Sequence, residues 1–289
     1  MKRKLIFMAA LLCVMLIVPL SLFSQSSDFV MNGTELVRYN GSAANVTIPE
    51  GVTAIRNDAF RNNSSLVSVN IPSSVMVVGQ AVFDTCRSLA SIKVDNQNSL
   101  YSSVDGVLFN KNRTVLIMYP AGKQERTYTI PSGVEYFNMN AFANNHSITS
   151  VTIPSSVTAI RSGAFFRCSS LASVTIPGGV TAIEDFAFTE CLSLESVTIP
   201  SSVIYIGVSA FRGCISLKNV TIPTGVIVIG DFAFSVCDSI TSITIPSSVT
   251  TIGNWAFNVC DNLRTVTVSR RTTIGEGAFP DTARIVYSD

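Results

Sequence analysis

Between residues 46 and 268 the chain repeats one pattern of apolar and polar positions. One unit reads Leu171-Ala-Ser-Val-Thr-Ile-Pro177, then Gly-Gly-Val180-Thr-Ala-Ile183, then Glu-Asp-Phe-Ala-Phe188-Thr-Glu-Cys191. Val174 and Ile176 alternate with polar neighbours, as in a short strand with one buried face, and Pro177 ends that strand because it has no N–H to give to a ladder. Val180 and Ile183 predict a second short extended segment, after which Ala187 and Phe188 pack inward from a tight turn or a short 3₁₀ piece. One such coil cannot bury enough apolar surface to offset the entropy of ordering it. Successive coils must therefore stack and share a core.

Three columns keep one register. Proline stands at 49 and 72 and again at 131, 154, 177, 200, 223 and 246, always 23 residues apart within a run. Phenylalanine follows the same interval at 60 and 83, then at 142, and on through Phe165, Phe188, Phe211, Phe234 and Phe257. Three residues beyond each Phe lie Asn63, Cys86, Asn145, Cys168, Cys191, Cys214, Cys237 and Cys260. The expected fold is a repeat solenoid, a right-handed superhelix of strands and turns with a short parallel β-sheet on one face. Its strands centre on Thr47, Asn70, Lys93, Thr129, Thr152, Thr175, Thr198, Thr221, Thr244 and Thr267. At about 4.8 Å per strand the array is roughly 45 Å long.

The register breaks once, where 36 residues separate Lys93 from Thr129. Within this insertion, at about 95–126, the run Val107–Tyr119 reads as two strands around a polar turn, a hairpin whose Lys111 and Arg113 project beyond the solenoid. Asn32-Gly33, set between Phe29-Val-Met and Glu35–Tyr39, predicts a capping hairpin over 25–45. Residues 269–289 depart from the repeat, as a C-terminal cap must. Ahead of all this, Lys2, Arg3 and Lys4 precede an apolar stretch from Leu5 to Leu22 and a polar run from Ser24. That is the layout of a signal peptide over 1–24 and of an exported, secreted or cell-surface chain. A retained anchor is the alternative, since about 18 apolar residues can just span a bilayer, and it would be the only membrane contact.

The combination Ile-Pro-x-x-Val-x-x-Ile, Ala-Phe and Cys-x-Ser-Leu at this period, with the segments Tyr39–Pro49 and Val104–Phe109, resembles the BspA-like leucine-rich repeat family. That family comprises secreted and surface proteins of host-associated bacteria and some parasitic protists. The resemblance covers nearly all of the chain after the apolar leader. It implies a leucine-rich-repeat solenoid acting as an adhesin or macromolecule-binding scaffold, and it brings no catalytic residue. No second domain and no C-terminal sorting signal are expected.

Composition narrows the function further. Lys plus Arg number 20 against 19 Asp plus Glu, so there is no basic surplus for nucleic acid. The single histidine, His146, falls on an expected exposed turn and leaves little for acid–base or metal chemistry. No Gly-x-Ser-x-Gly, P-loop or His-Glu-x-x-His pattern occurs. We expect no catalysis, no cofactor, no metal and no small-molecule substrate. The cysteines read as buried, reduced hydrophobes forming a structural ladder beside the Phe column. Disulfides between neighbouring rungs are the alternative for an exported chain. A zinc site is disfavoured by the asparagines in the same column and by the absence of a Cys-x-x-Cys clip.

One surface stands out. The strand residue between the two inward positions faces out, and it is Thr at eight of the ten strands listed above, with Asn70 and Lys93 the exceptions. Threonine could serve here only as a β-former that tolerates water. The functional alternative is a recognition face built from Thr152, Thr175, Thr198, Thr221, Thr244 and Thr267, with Glu195, Lys218 and Arg264 beside it. Lys111 and Arg113 of the hairpin are the competing location. The partner expected is another protein or a cell-surface macromolecule; a structural or envelope-assembly spacer is the other reading.

Overall fold

The computed structural model describes residues 28–288, so the expected leader over 1–24 lies outside the described residues. The chain winds through about 11 turns of a β-solenoid, with no helix among the described residues. One wall is made of short parallel strands: Asn45–Thr47, Ser68–Ile71 and Ser91–Val94 before the insertion, and Thr127–Thr129, Ser150–Thr152, Ser173–Thr175, Ser196–Thr198, Asn219–Thr221, Ser242–Thr244 and Thr265–Val268 after it. Every expected strand is present. A further strand, Arg284–Tyr287, extends this wall from the C-terminal segment by pairing in parallel with Thr265–Val268. Pairing of Val151, Val174 and Val197 on consecutive strands keeps the branched side chains on the buried face.

The second extended segment forms a wall of its own. Ala159–Ile160, Ala182–Ile183, Tyr205–Ile206, Val228–Ile229, Thr251–Ile252 and Thr273–Ile274 pair in parallel, with the isoleucines inward. At the N-terminal end, Phe29–Asn32 and Glu35–Tyr39 form an antiparallel hairpin around Gly33, and Glu35–Tyr39 continues in parallel into Ala54–Ile55.

The third side is turns rather than 3₁₀ helix, and it is hydrogen-bonded from rung to rung. Phe165 N–H donates to Ala187 O at 2.8 Å, and the Phe188, Phe211, Phe234 and Phe257 N–H groups donate at 2.7 Å to the alanine carbonyl of the next rung. The Phe165 to Phe257 rings stack at 5.1–5.2 Å with planes 4–8° apart, within the roughly 4.5–7 Å where offset pairs are favourable. Aiming each ring inward requires left-handed backbone twice per rung. Phe186, Phe232 and Trp255 hold one such position, and Arg167, Glu190, Val236 and Val259 the other, at φ of 55–60°.

The six cysteines among the described residues are free, buried thiols. Each of Cys168, Cys191, Cys214, Cys237 and Cys260 donates its S–H to the carbonyl of the Phe one rung back, at 3.1–3.2 Å, as Cys86 does to Phe60 at 2.9 Å. The slot thus requires a buried donor reaching backwards, which explains the two asparagines. Asn63 follows the N-terminal cap and Asn145 follows the insertion, where the preceding turn is irregular. Their Nδ2 groups reach Gly41 O at 2.8 Å and Pro120 O at 3.1 Å. Burial pushes the Cys168, Cys214 and Cys260 thiols from 9.0 up to about 12, and Cys86 up to about 11.

The insertion is built into the second wall, and its turn at 111–113 is exposed. Tyr101–Val104, Val107–Asn110 and Val115–Met118 form an antiparallel meander, and the last strand pairs in parallel with Tyr136–Phe137. Val107, Leu108, Phe109 and Leu116 are buried. Tyr119 takes the vacant beat of the aromatic column, stacking on Phe142 at 5.1 Å.

Three outcomes follow from this packing. Phe188→Ala removes a fully buried ring from the stack, and chemical denaturation should show a loss of about 3–5 kcal/mol, against well under ~1 for Thr175→Ala; equal losses would reverse the assignment of inside and outside. Val259 is β-branched, 43% exposed and held at φ 55°, a backbone region that disfavours L-residues by about 1–2 kcal/mol. Val259→Asn should raise stability by roughly 0.5–1 kcal/mol, since asparagine tolerates that region and Asn62 and Asn144 already hold the same slot at φ 63°. Unfolded thiols ionise near their ordinary 9.0, while burial keeps Cys168, Cys214 and Cys260 protonated to about 12 and Cys86 to about 11, and raises Cys191 and Cys237 in the same direction. Their contribution is therefore complete below that ordinary value and is lost as pH rises across that interval. The melting temperature should be flat from about pH 6 to 8 and fall above about pH 9, with most of the slope gone when the six buried cysteines from Cys86 to Cys260 are alanine. A slope unchanged in the alanine variant would contradict the thiol assignment.

Candidate functional site

The strand wall carries two outward columns. On each rung the apolar residue points in, and its two flanking residues point out. Ser150 and Thr152 therefore sit in register with Ser173 and Thr175, then with Ser196 and Thr198, then with Asn219 and Thr221. Thr152, Thr175, Thr198, Thr221 and Thr244 are exposed; Thr267 is half-buried beside the last strand. Among the described residues, none of these six hydroxyls bonds to another protein group. The N-terminal block differs, for there Ser68 donates to Asn45 Oδ1 at 2.6 Å and Asn70 donates to Thr47 Oγ1 at 2.9 Å.

The charges beside the face are mutually engaged. Glu195 and Lys218 occupy one column on neighbouring rungs and pair at 3.6 Å, both well exposed. Such a pair is screened and adds little to stability, and its two charges cancel. Arg264, in the same column, donates to Asp261 O at 2.6 Å. The structure thus brings Thr152 to Thr267, Glu195, Lys218 and Arg264 onto one side. Lys111 lies apart from them; it is exposed, with its ammonium held by the carbonyls of Asn96, at 3.0 Å, and Asn98, at 2.5 Å. Arg113 is exposed at the hairpin turn, with φ 58°.

His146 bonds through Nδ1 to Ser169 Oγ at 2.8 Å. Partial burial, together with Arg87 and Arg167 nearby, lowers its pKa. No group of three or more metal-ligating side chains occurs among the described residues. No helix long and apolar enough to cross a membrane occurs among the described residues.

A second surface was not anticipated. Phe186, Phe232 and Trp255 are exposed at their left-handed positions, and Ile204 and Ile227 are exposed on adjacent rungs of the second wall. The signal was present as Phe-Ala-Phe at 186–188 and 232–234 and Trp-Ala-Phe at 255–257. Only the φ values show that the first aromatic of each triplet turns outward.

The BspA type leucine-rich repeat region model matches in 6 copies, over residues 36–115, 122–203 and 181–288. A solved leucine-rich repeat protein from Eubacterium ventriosum is 28% identical, with a TM-score of 0.61 over 74% of this chain and 63% of its own. The pneumococcal vaccine antigen PcpA is 21% identical, with a TM-score of 0.62 over 85% of this chain and 62% of its own, and shares the fold. The chain thus spans about three-fifths of each of these two proteins. No curated protein matches it. With the repeat matched from residue 36 to residue 288, the chain belongs to the BspA type leucine-rich repeat family.

Proposed function

We propose that this protein is an exported, surface-associated binding scaffold without catalysis, whose strand wall recognises another protein or a cell-surface macromolecule. The observation that carries this reading is the column of exposed, unengaged hydroxyls at Thr152, Thr175, Thr198, Thr221 and Thr244. They sit on rungs fixed about 4.8 Å apart, so a partner meets a rigid surface and loses little freedom in ordering it. From Thr152 to Thr244 the outward columns carry only Ser, Thr and Asn, and the Glu195–Lys218 pair that flanks them is internally neutral. Recognition there rests on hydrogen bonding and shape rather than on charge.

The test is retention of purified host matrix proteins and intact cells on the immobilised protein. Replacing Thr175, Thr198 and Thr221 together with Glu sets like charges on three consecutive rungs. Retention should fall at least about tenfold while circular dichroism stays unchanged. Full retention by that variant, combined with loss in Lys111→Glu/Arg113→Glu, would move the site to the hairpin turn. Retention of nothing by the native protein would favour the spacer reading. The single tryptophan, Trp255, is 36% exposed on the turn side, and its fluorescence would move if the partner bound there instead.

A further inference from the structure

The rung-to-rung ladder on the turn side has one gap. From Tyr39 to Phe257 every aromatic of the column donates its N–H to the next rung except Phe83. The flanking N–H groups of Ala81 and Thr85 also lack acceptors, although Asp58 and Asn62 one rung earlier donate to Gln80 O and Asp84 O at 3.2 and 3.0 Å. The cause is a short rung. Leu116 pairs with Phe137 and Tyr119 stacks on Phe142, so the inserted rung spans in three residues what Phe137–Phe142 spans in five. The missing two residues leave a cleft of about 280 Å³.

Residues 78–85 form one wall of the cleft, and Ile117, Met118 and Tyr119 face them. Phe83 stacks on Phe60 and Tyr119 on Phe142, yet no ring contact joins Phe83 to Tyr119. Asn144 is 4% exposed and lines the cleft. Its Nδ2 donates to Asp84 Oδ1 at 3.3 Å, and its Oδ1 is buried without a donor. At the rim, Asp84 is paired with Arg61 at 3.4 Å and Arg161 with Glu184 at 4.0 Å, so the opening carries no free charge. Met139, 57% exposed, supplies an adaptable apolar lip.

We propose that this cleft is a peptide-binding site, which takes an extended, uncharged segment of a partner protein and buries one aromatic side chain between Phe83 and Tyr119. The peptide's carbonyls accept from Ala81, Phe83 and Thr85, and one of its N–H groups donates to Asn144 Oδ1. It thereby supplies the contacts that each Ala-Phe turn gives to the rung before it, a form of strand addition. An acidic or basic segment would meet paired charges and gain nothing from them. This site is separate from the strand wall, and its failure would leave the reading of that wall intact.

The probe is an acetylated, amidated peptide copying residues 253–259 (Gly-Asn-Trp-Ala-Phe-Asn-Val), which is uncharged and carries the turn motif. It should bind the folded protein saturably, and binding should weaken at least about tenfold when the peptide carries Phe257→Ala or the protein carries Ala143→Trp, which fills the cleft. Met139→Asp at the exposed rim gives the same comparison if the tryptophan variant does not fold. Hydrogen exchange should find the Phe83 amide faster than Phe142 or Phe165 in the free protein and slowed by the peptide. The proposal is overturned by absent binding, by unchanged binding to both variants, or by a Phe83 amide already as protected as Phe165. It is equally overturned if N-acetyl-phenylalaninamide binds as tightly as the heptapeptide, which would make the cleft a small-molecule site. Dimerisation blocked by Ala143→Trp would assign the cleft to a second copy of the chain.

Discussion

Backbone hydrogen bonding from one rung to the next is the constraint on which this structure depends. It runs along three lines: the strand wall, the two-residue strands of the second wall, and the turn side, where the aromatic N–H of each rung but that of Phe83 meets a carbonyl of the next. All three have to close together, which fixes the length of a rung. One residue more or fewer between two lines would shift the side-chain pattern by one position and turn an inward valine outward. The 23-residue period is the length at which the three lines close, and the stacked rings and S–H donors occupy places that this closure creates.

How far the sequence reveals the structure follows from that constraint. The period, the inward Val and Ile, the Phe column and the outward Thr are legible because each is repeated in register, so a single rung read correctly gives all of them. Features that occur once, or that depend on backbone torsion, are not. Tyr119 reads as the end of a hairpin strand, because nothing in its spacing shows that the insertion cuts the corner and restores the aromatic stack. Arg284–Tyr287 reads as a cap without giving away its place as another parallel strand. The outward aromatics are hidden for a torsional reason, since alternation cannot separate Phe186 from Phe188 without knowing that Phe186 lies at φ 60°. For the candidate face, the sequence names the residues but not their engagement. The free hydroxyls and the Glu195–Lys218 pair come only from geometry.

The asparagine substitutions in the cysteine column show the same principle from the other side. A thiol has one short donor, enough when the acceptor is the Phe carbonyl of a regular neighbour. Next to an irregular turn the acceptors lie elsewhere, and a side chain that donates through Nδ2 while accepting through Oδ1 is needed. Asn145 does both, with Oδ1 taking the N–H groups of Ser147 and Ile148 at 3.0 and 2.8 Å. Asn98, within the insertion, repeats the arrangement against Pro72 and Val75 at 3.0 and 2.9 Å. Asparagine in this column therefore marks where the regular stack has been interrupted.

The interruption is tolerable because the insertion seals what it separates. Strand Val107–Asn110 places Leu108 in the hydrophobic cluster of the N-terminal rungs, and Val107 and Phe109 in the cluster of the C-terminal rungs. A strand with apolar residues on both faces would be a liability on the outside of a solenoid; between two cores it closes each of them. In a stack where rungs contact only their neighbours, stability is a sum of local interfaces, and a weak interface need not unfold the rest if both sides are complete. Here Gly122 N–H donates to Leu89 O at 2.7 Å and Asn144 to Asp84 across the junction. Those contacts hold the halves in line while the turn side stays open. A binding cleft can therefore exist in a chain whose every other rung is closed by the next.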